Sequence, residues 1–167
     1  VSGFDSAQFA SLSTTQVKAL TTTQMSALDA TDISDFTNTQ IAALTTTQIM
    51  GLTTTNVGDL TETQIGALST AQVQSLSASS ISNMSDTQIA AFANTQIAAL
   101  ASNQVQGLNA TNIGALTTTQ VGALTTTQVA LLSTTNVRAM ADTQVAAMST
   151  TQVRAFTASQ ITALRTT

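Results

Sequence analysis

The chain contains no Cys, His, Pro, Trp or Tyr, and only four Lys or Arg residues. Without Cys there is no disulfide framework and no thiolate chemistry, and compartment is not readable from redox logic. Without His and Cys the usual zinc sites and most nucleophile–base pairs are excluded. Four cations do not make the basic footprint of a nucleic-acid binder. They are Lys18, Arg138, Arg154 and Arg165, scattered as solvated surface. Charged residues make up 7% of the 167 positions, with a net charge of −4, so Ser and Thr hydroxyls must do most of the solvating. Hydrophobic residues reach 43%, yet no apolar run is long enough to span a bilayer. No secretory signal is visible at Val1, and the absence of a starting Met suggests a piece of something longer.

What is present is repetition. Twenty octads run from Asp5 to Leu164 without linkers, as in Thr117–Leu124 (TTTQVGAL) followed by Thr125–Leu132 (TTTQVALL). Residues 1–4 read as a lead-in and 165–167 as the start of a further octad or a tail. Numbering positions one to eight, position five is Val or Ile in eighteen octads and position eight is Leu in fourteen. Position four is Gln in fifteen, the exceptions being Asp32, Asn56, Ser80, Asn112 and Asn136. Position one is Ser, Thr, Asp or Asn in seventeen, with Ala93, Ala101 and Ala141 differing. Position seven is usually Ala, while positions two and six vary freely and are expected to face water.

This pattern predicts one short helix per octad. Ser or Thr followed three residues later by Gln is a capping box, in which two side chains satisfy free N–H groups at a helix start. The Leu before the cap and the Val or Ile four residues after it form a hydrophobic staple. Positions five and eight then share one helix face, and the small residue at position seven lets neighbouring backbones approach. Propensity argues the other way, because Thr, Val and Ile suit strands. A straight strand, however, needs apolar residues two apart. A triangular β-solenoid, bent after each Val, is therefore the alternative.

Departures from consensus give the stacking period. Of the non-Ala residues at position seven, Ser11, Asp35, Asp59, Asn83, Gly107 and Leu131 are each 24 residues after the last, and only Gly51 and Ser75 fall outside the series. Three octads thus make one coil, and the expected fold is an all-α triangular solenoid of capped helices with Val/Ile and Leu inside. Helices this short are not stable alone, so neighbouring coils must supply their stability. Such a core is too thin to enclose a substrate, so no catalytic residues, no cofactor and no enzyme activity are expected.

Candidate sites are few. Asp29, Asp32 and Asp35, with Asp59 and Glu62, offer oxygen ligands to a cation such as calcium. DATDISDF, however, lacks the turn glycine and ligand spacing of calcium loops, so a polar drift of one column is the favoured reading. The unbroken column Gln24, Gln48, Gln72, Gln96, Gln120 and Gln144 is expected to be structural, capping helices or bonding between coils. Asn83 and Asn109 lie in glycosylation sequons. Thr runs such as Thr45–Thr47 suggest an ice-binding or adhesive face, but Asp, Glu, Asn and Ala at position two interrupt it.

The consensus in Thr117–Leu132 resembles octapeptide arrays of very large secreted or surface proteins of bacteria, some adhesin-like or haemolysin-like. The resemblance implies an extracellular or cell-surface spacer, stalk or filament subunit. Its partners would be flanking domains or other copies, end to end or side by side. It carries no functional residues across.

Overall fold

The computed structural model describes residues 5–164; the lead-in 1–4 and the segment 165–167, with Arg165, lie outside the described residues. Twenty α-helices follow one another, from α1 (Ser6–Ser11) to α20 (Ala158–Leu164), and no strand occurs among the described residues. The β-solenoid alternative is therefore overturned. Every helix packs on the third one along, α1 with α4 (Ala30–Asp35) through to α17 (Thr134–Arg138) with α20. Three octads close one coil, and the coils stack into a three-sided, all-α solenoid.

The local chemistry explains why each helix stops after five to seven residues. Thr117 caps its helix in the extended region (φ −70°, ψ 161°), its hydroxyl accepting the Gln120 N–H. At the other end Leu124 is extended again (ψ 134°), and its N–H donates to the Val121 carbonyl. Where the helix runs to position seven, as here, two consecutive residues with extended ψ and negative φ, one at position eight and the next at position one, turn the corner. Such a corner needs neither the left-handed residue of a glycine-terminated helix nor a proline. The described glycines accordingly sit at positions six and seven, away from the corners. At Ala93, Ala101 and Ala141 there is no cap hydroxyl, and the third helical N–H turns to the cap residue's own carbonyl at 2.9–3.0 Å.

Positions five and eight fill the axis as one continuous apolar column, from Phe9 to Phe156, with the Phe9 and Phe36 rings edge to face at 5.3 Å. Positions two, three and six face solvent through most of the array. Position seven sets the spacing between coils. A Cβ on Gly107 would lie 2.9 Å from the Ala78 Cβ in the helix below, whereas a Cβ on Gly58 would meet nothing within 4 Å. Gly107→Ala is therefore expected to destabilise by about 1–2 kcal/mol, since two backbones must part. Gly58→Ala is expected to stabilise by about 0.5–1 kcal/mol through helix propensity. Urea titration of both variants checks the pair, and equal shifts of one sign would contradict this packing.

Candidate functional site: a buried amide clamp between coils

Position four carries the most distinctive chemistry. From octad four onward all seventeen of its residues, Asp32 to Gln160, are buried at 4% exposure or less. Gln104 shows the arrangement. Its Oε1 accepts the Ala101 N–H at 2.8 Å, completing the start of its own helix. Its Nε2 donates to the carbonyls of Val73 and Leu76, both at 2.8 Å, at the end of a helix in the coil below. One side chain thus caps two helix ends, its own start and an earlier end whose carbonyls lie 28 and 31 residues before it in sequence. The carbonyls it meets are those a helix C-terminus leaves without an internal partner.

Every position-four glutamine from Gln40 onward repeats these reaches, for example Gln48 to Val17 and Leu20, and Gln160 to Val129 and Leu132. All these bonds run from a later octad to the fourth one before it, so the stack has a direction. The column Gln24, Gln48, Gln72, Gln96, Gln120 and Gln144 forms one edge of the prism, and its members bond as the glutamines of the other two edges do. Gln24 belongs to the first coil. It caps its own helix through the Thr21 N–H, and its Nε2 has no acceptor among the described residues.

Shorter side chains keep only part of this. Asn56 accepts the Thr53 N–H and donates to Leu28, but reaches one carbonyl where glutamine reaches two. Asn136 donates to Leu108 without completing a capping box. Asn112 accepts the Asn109 N–H, and its Nδ2 is buried with no partner. Ser80 bonds only within its own octad, to Ser77.

The acidic residues do not converge. Asp29 and Asp32 cap each other's N–H groups at 2.9 and 3.2 Å, which occupies their carboxylates with the helix start. Asp35 has one buried carboxylate oxygen without a hydrogen-bond partner. Asp59 terminates α7 (Thr54–Gly58) one coil along, and Glu62 begins a helix on the next face. No group of three potential metal ligands occurs among the described residues. The side-chain amides of both sequon residues are engaged, Asn83 with the Ser79 carbonyl and Asn109 with the Ser82 carbonyl. No helix among the described residues is long and apolar enough to cross a membrane.

One carboxylate is tuned. Glu62 titrates below the ordinary carboxylate range, because its own backbone N–H and then the Thr87 hydroxyl donate to it. Stability from this contact is present above the unfolded pKa and lost as pH falls through the lowered folded value. Because Glu62 is fully exposed, the effect belongs in the titration curve rather than in the melt. Thr87→Val is expected to raise the Glu62 midpoint in a carbon-13 NMR titration, and an unmoved midpoint would exclude the contact.

The apolar core contains a small cavity of about 10 Å³, lined by residues including Ile81, Phe92, Ile97 and Leu108. At that size and polarity it stays dry and admits no substrate.

Residues 97–134 match the model of the ALTTAQ repeat family, under a quarter of the chain. The description fits positions seven to four of successive octads: Ala123–Gln128 reads ALTTTQ. The chain is thus a tandem-repeat protein with a helical solenoid fold, similar over that stretch to the ALTTAQ repeat. No curated protein and no solved structure matches it.

Proposed function

We propose that the chain is a non-catalytic structural element of an extracellular or cell-surface protein, acting as a spacer, a stalk or a filament segment. The observation that carries this reading is the amide clamp. It fastens each coil to the one below in one direction and spends the chain's most distinctive polar group on internal bonds. The exposed positions carry mostly short, neutral side chains, as suits a surface that separates other things.

An ice-binding or adhesive face is the second reading, and the exposed threonines at position three favour it. It ranks lower because several of these hydroxyls are paired with a neighbouring hydroxyl on the surface, Thr63 with Thr61 and Thr87 with Ser85, beside the charges of Glu62 and Asp86. The adhesin-like or haemolysin-like setting belongs to the first reading.

In the filament form, the Gln8, Gln16 and Gln24 amides at one end would meet the position-five and position-eight carbonyls of octads seventeen to nineteen at the other. The exposed apolar Val153 and Ile161 lie on that second end.

Solution scattering across a concentration series tests the proposal. A constant rod profile supports a spacer. A maximum dimension growing in steps of one chain length supports the filament form. A compact, near-spherical particle contradicts both. Protease shaving of intact producing cells tests the location, and complete protection would rule out surface display.

A further inference from the structure

Octad ten (Ser77–Met84) differs from every other octad in the interior of the array. Its own position four is Ser80, which makes no bond to the coil below, so the Ile49 and Leu52 carbonyls receive no amide from it. The residue that should reach it from above is Asn112, whose buried Nδ2 has no partner and so clamps neither Ile81 nor Met84. Octads six and fourteen each lose a clamp on one side. Octad ten loses both.

Two further features mark the same place. Ile81 lines the small cavity in the core. The upward link is replaced by an exposed one, in which Asn109 Nδ2 donates to the Ser82 carbonyl at 2.7 Å and approaches its hydroxyl at 3.3 Å. Water competes with such a bond more effectively than with a buried clamp. The close seat of Gly107 on Ala78 still holds octad ten to octad thirteen above, so packing and not an amide clamp keeps it in place.

We propose that octad ten is a built-in yielding joint, the place where coils part first under heat or load. Opening there frees octad ten locally, while the Gln88, Gln96 and Gln104 clamps still join the octads on either side of it. The inference rests on hydrogen bonding between coils and does not depend on the spacer reading.

Native-state hydrogen exchange on the full chain tests it. In the wild type, the Ile81, Asn83 and Met84 amides should exchange about tenfold faster than their counterparts in octads nine and eleven, the factor expected for a missing hydrogen bond. Asn112→Gln, which lets an amide reach Ile81 and Met84, should bring octad ten to its neighbours' level. Ser80→Gln should do the same from below, while Ser80→Ala should leave the fast exchange in place. Equal protection of octads nine, ten and eleven in the wild type would overturn the proposal, and this comparison stands even where a variant fails to fold. Folded Gln variants that leave octad ten fast would overturn it equally.

Discussion

Replacing Gln104 by Glu should destabilise the protein by about 4 kcal/mol at neutral pH, although the two side chains have nearly the same shape. Glutamate still offers an oxygen to the Ala101 N–H, so the local capping box survives. What it loses is the donor. A carboxylate at 0% exposure would face the Val73 and Leu76 carbonyls, acceptor against acceptor, and carry a charge. Gln104→Ala, which removes the amide without adding charge, should cost about 3 kcal/mol. The two variants separate with pH. Burial raises the folded pKa of the new carboxyl above its unfolded value of about 4.3. The penalty is therefore full above the folded value, shrinks as pH falls through it, and is gone below the unfolded value. Protonation also restores one O–H donor. Urea titrations at neutral and acidic pH should show Gln104→Glu recovering and Gln104→Ala not. A Glu variant as stable as the wild type at neutral pH would refute the clamp.

The second large effect is expected in the core. Ile97 is 1% exposed and lines the cavity that already exists. Truncation to Ala should cost about 3–5 kcal/mol, the upper part of the range for such changes. The reason is that the site has little freedom to collapse. Gln96 fixes its own helix to Ile65 and Leu68 below, and Gln128 ties down the Ile97 and Leu100 carbonyls from above. The measurement is again urea titration, read for slope as well as midpoint. An unchanged slope means the array still unfolds as one unit, and a reduced slope means it now melts in blocks. A loss below about 1 kcal/mol would show that the coils relax around the gap and that the clamp does not set their spacing.

Much of this architecture was legible because the signals are local. Cap, staple and apolar pair lie within one octad, and the 24-residue recurrence at position seven places octads over one another. Weak helix propensity misleads only when an octad is considered alone, since packing on neighbouring coils decides the outcome. The far half of the glutamine amide was not legible in detail, because its partners lie 28 and 31 residues away and leave no local mark. A clue was nevertheless present. A capping box accepts Glu or Gln equally, yet position four holds Gln fifteen times and Glu never. That exclusion signals a donor requirement outside the box. The position-four exceptions look like one polar drift in sequence, but Asn56, Asn112, Asn136 and Ser80 keep different subsets of the bonds that glutamine makes to its own helix start and to the coil below. The acidic residues suggested a site by proximity, and Asp29 and Asp32 are instead consumed by the cap.

The most direct test of the clamp is an NMR measurement on the Gln104 side-chain amide. Its Nε2 protons should show cross-peaks to Val73 and Leu76 and slow solvent exchange, while the Gln16 and Gln24 amides of the first coil exchange fast. Cross-peaks from Gln104 to residue 80, the equivalent position one coil earlier, with no contact to Val73 or Leu76, would mean a side-chain ladder in place of the clamp and would contradict the account.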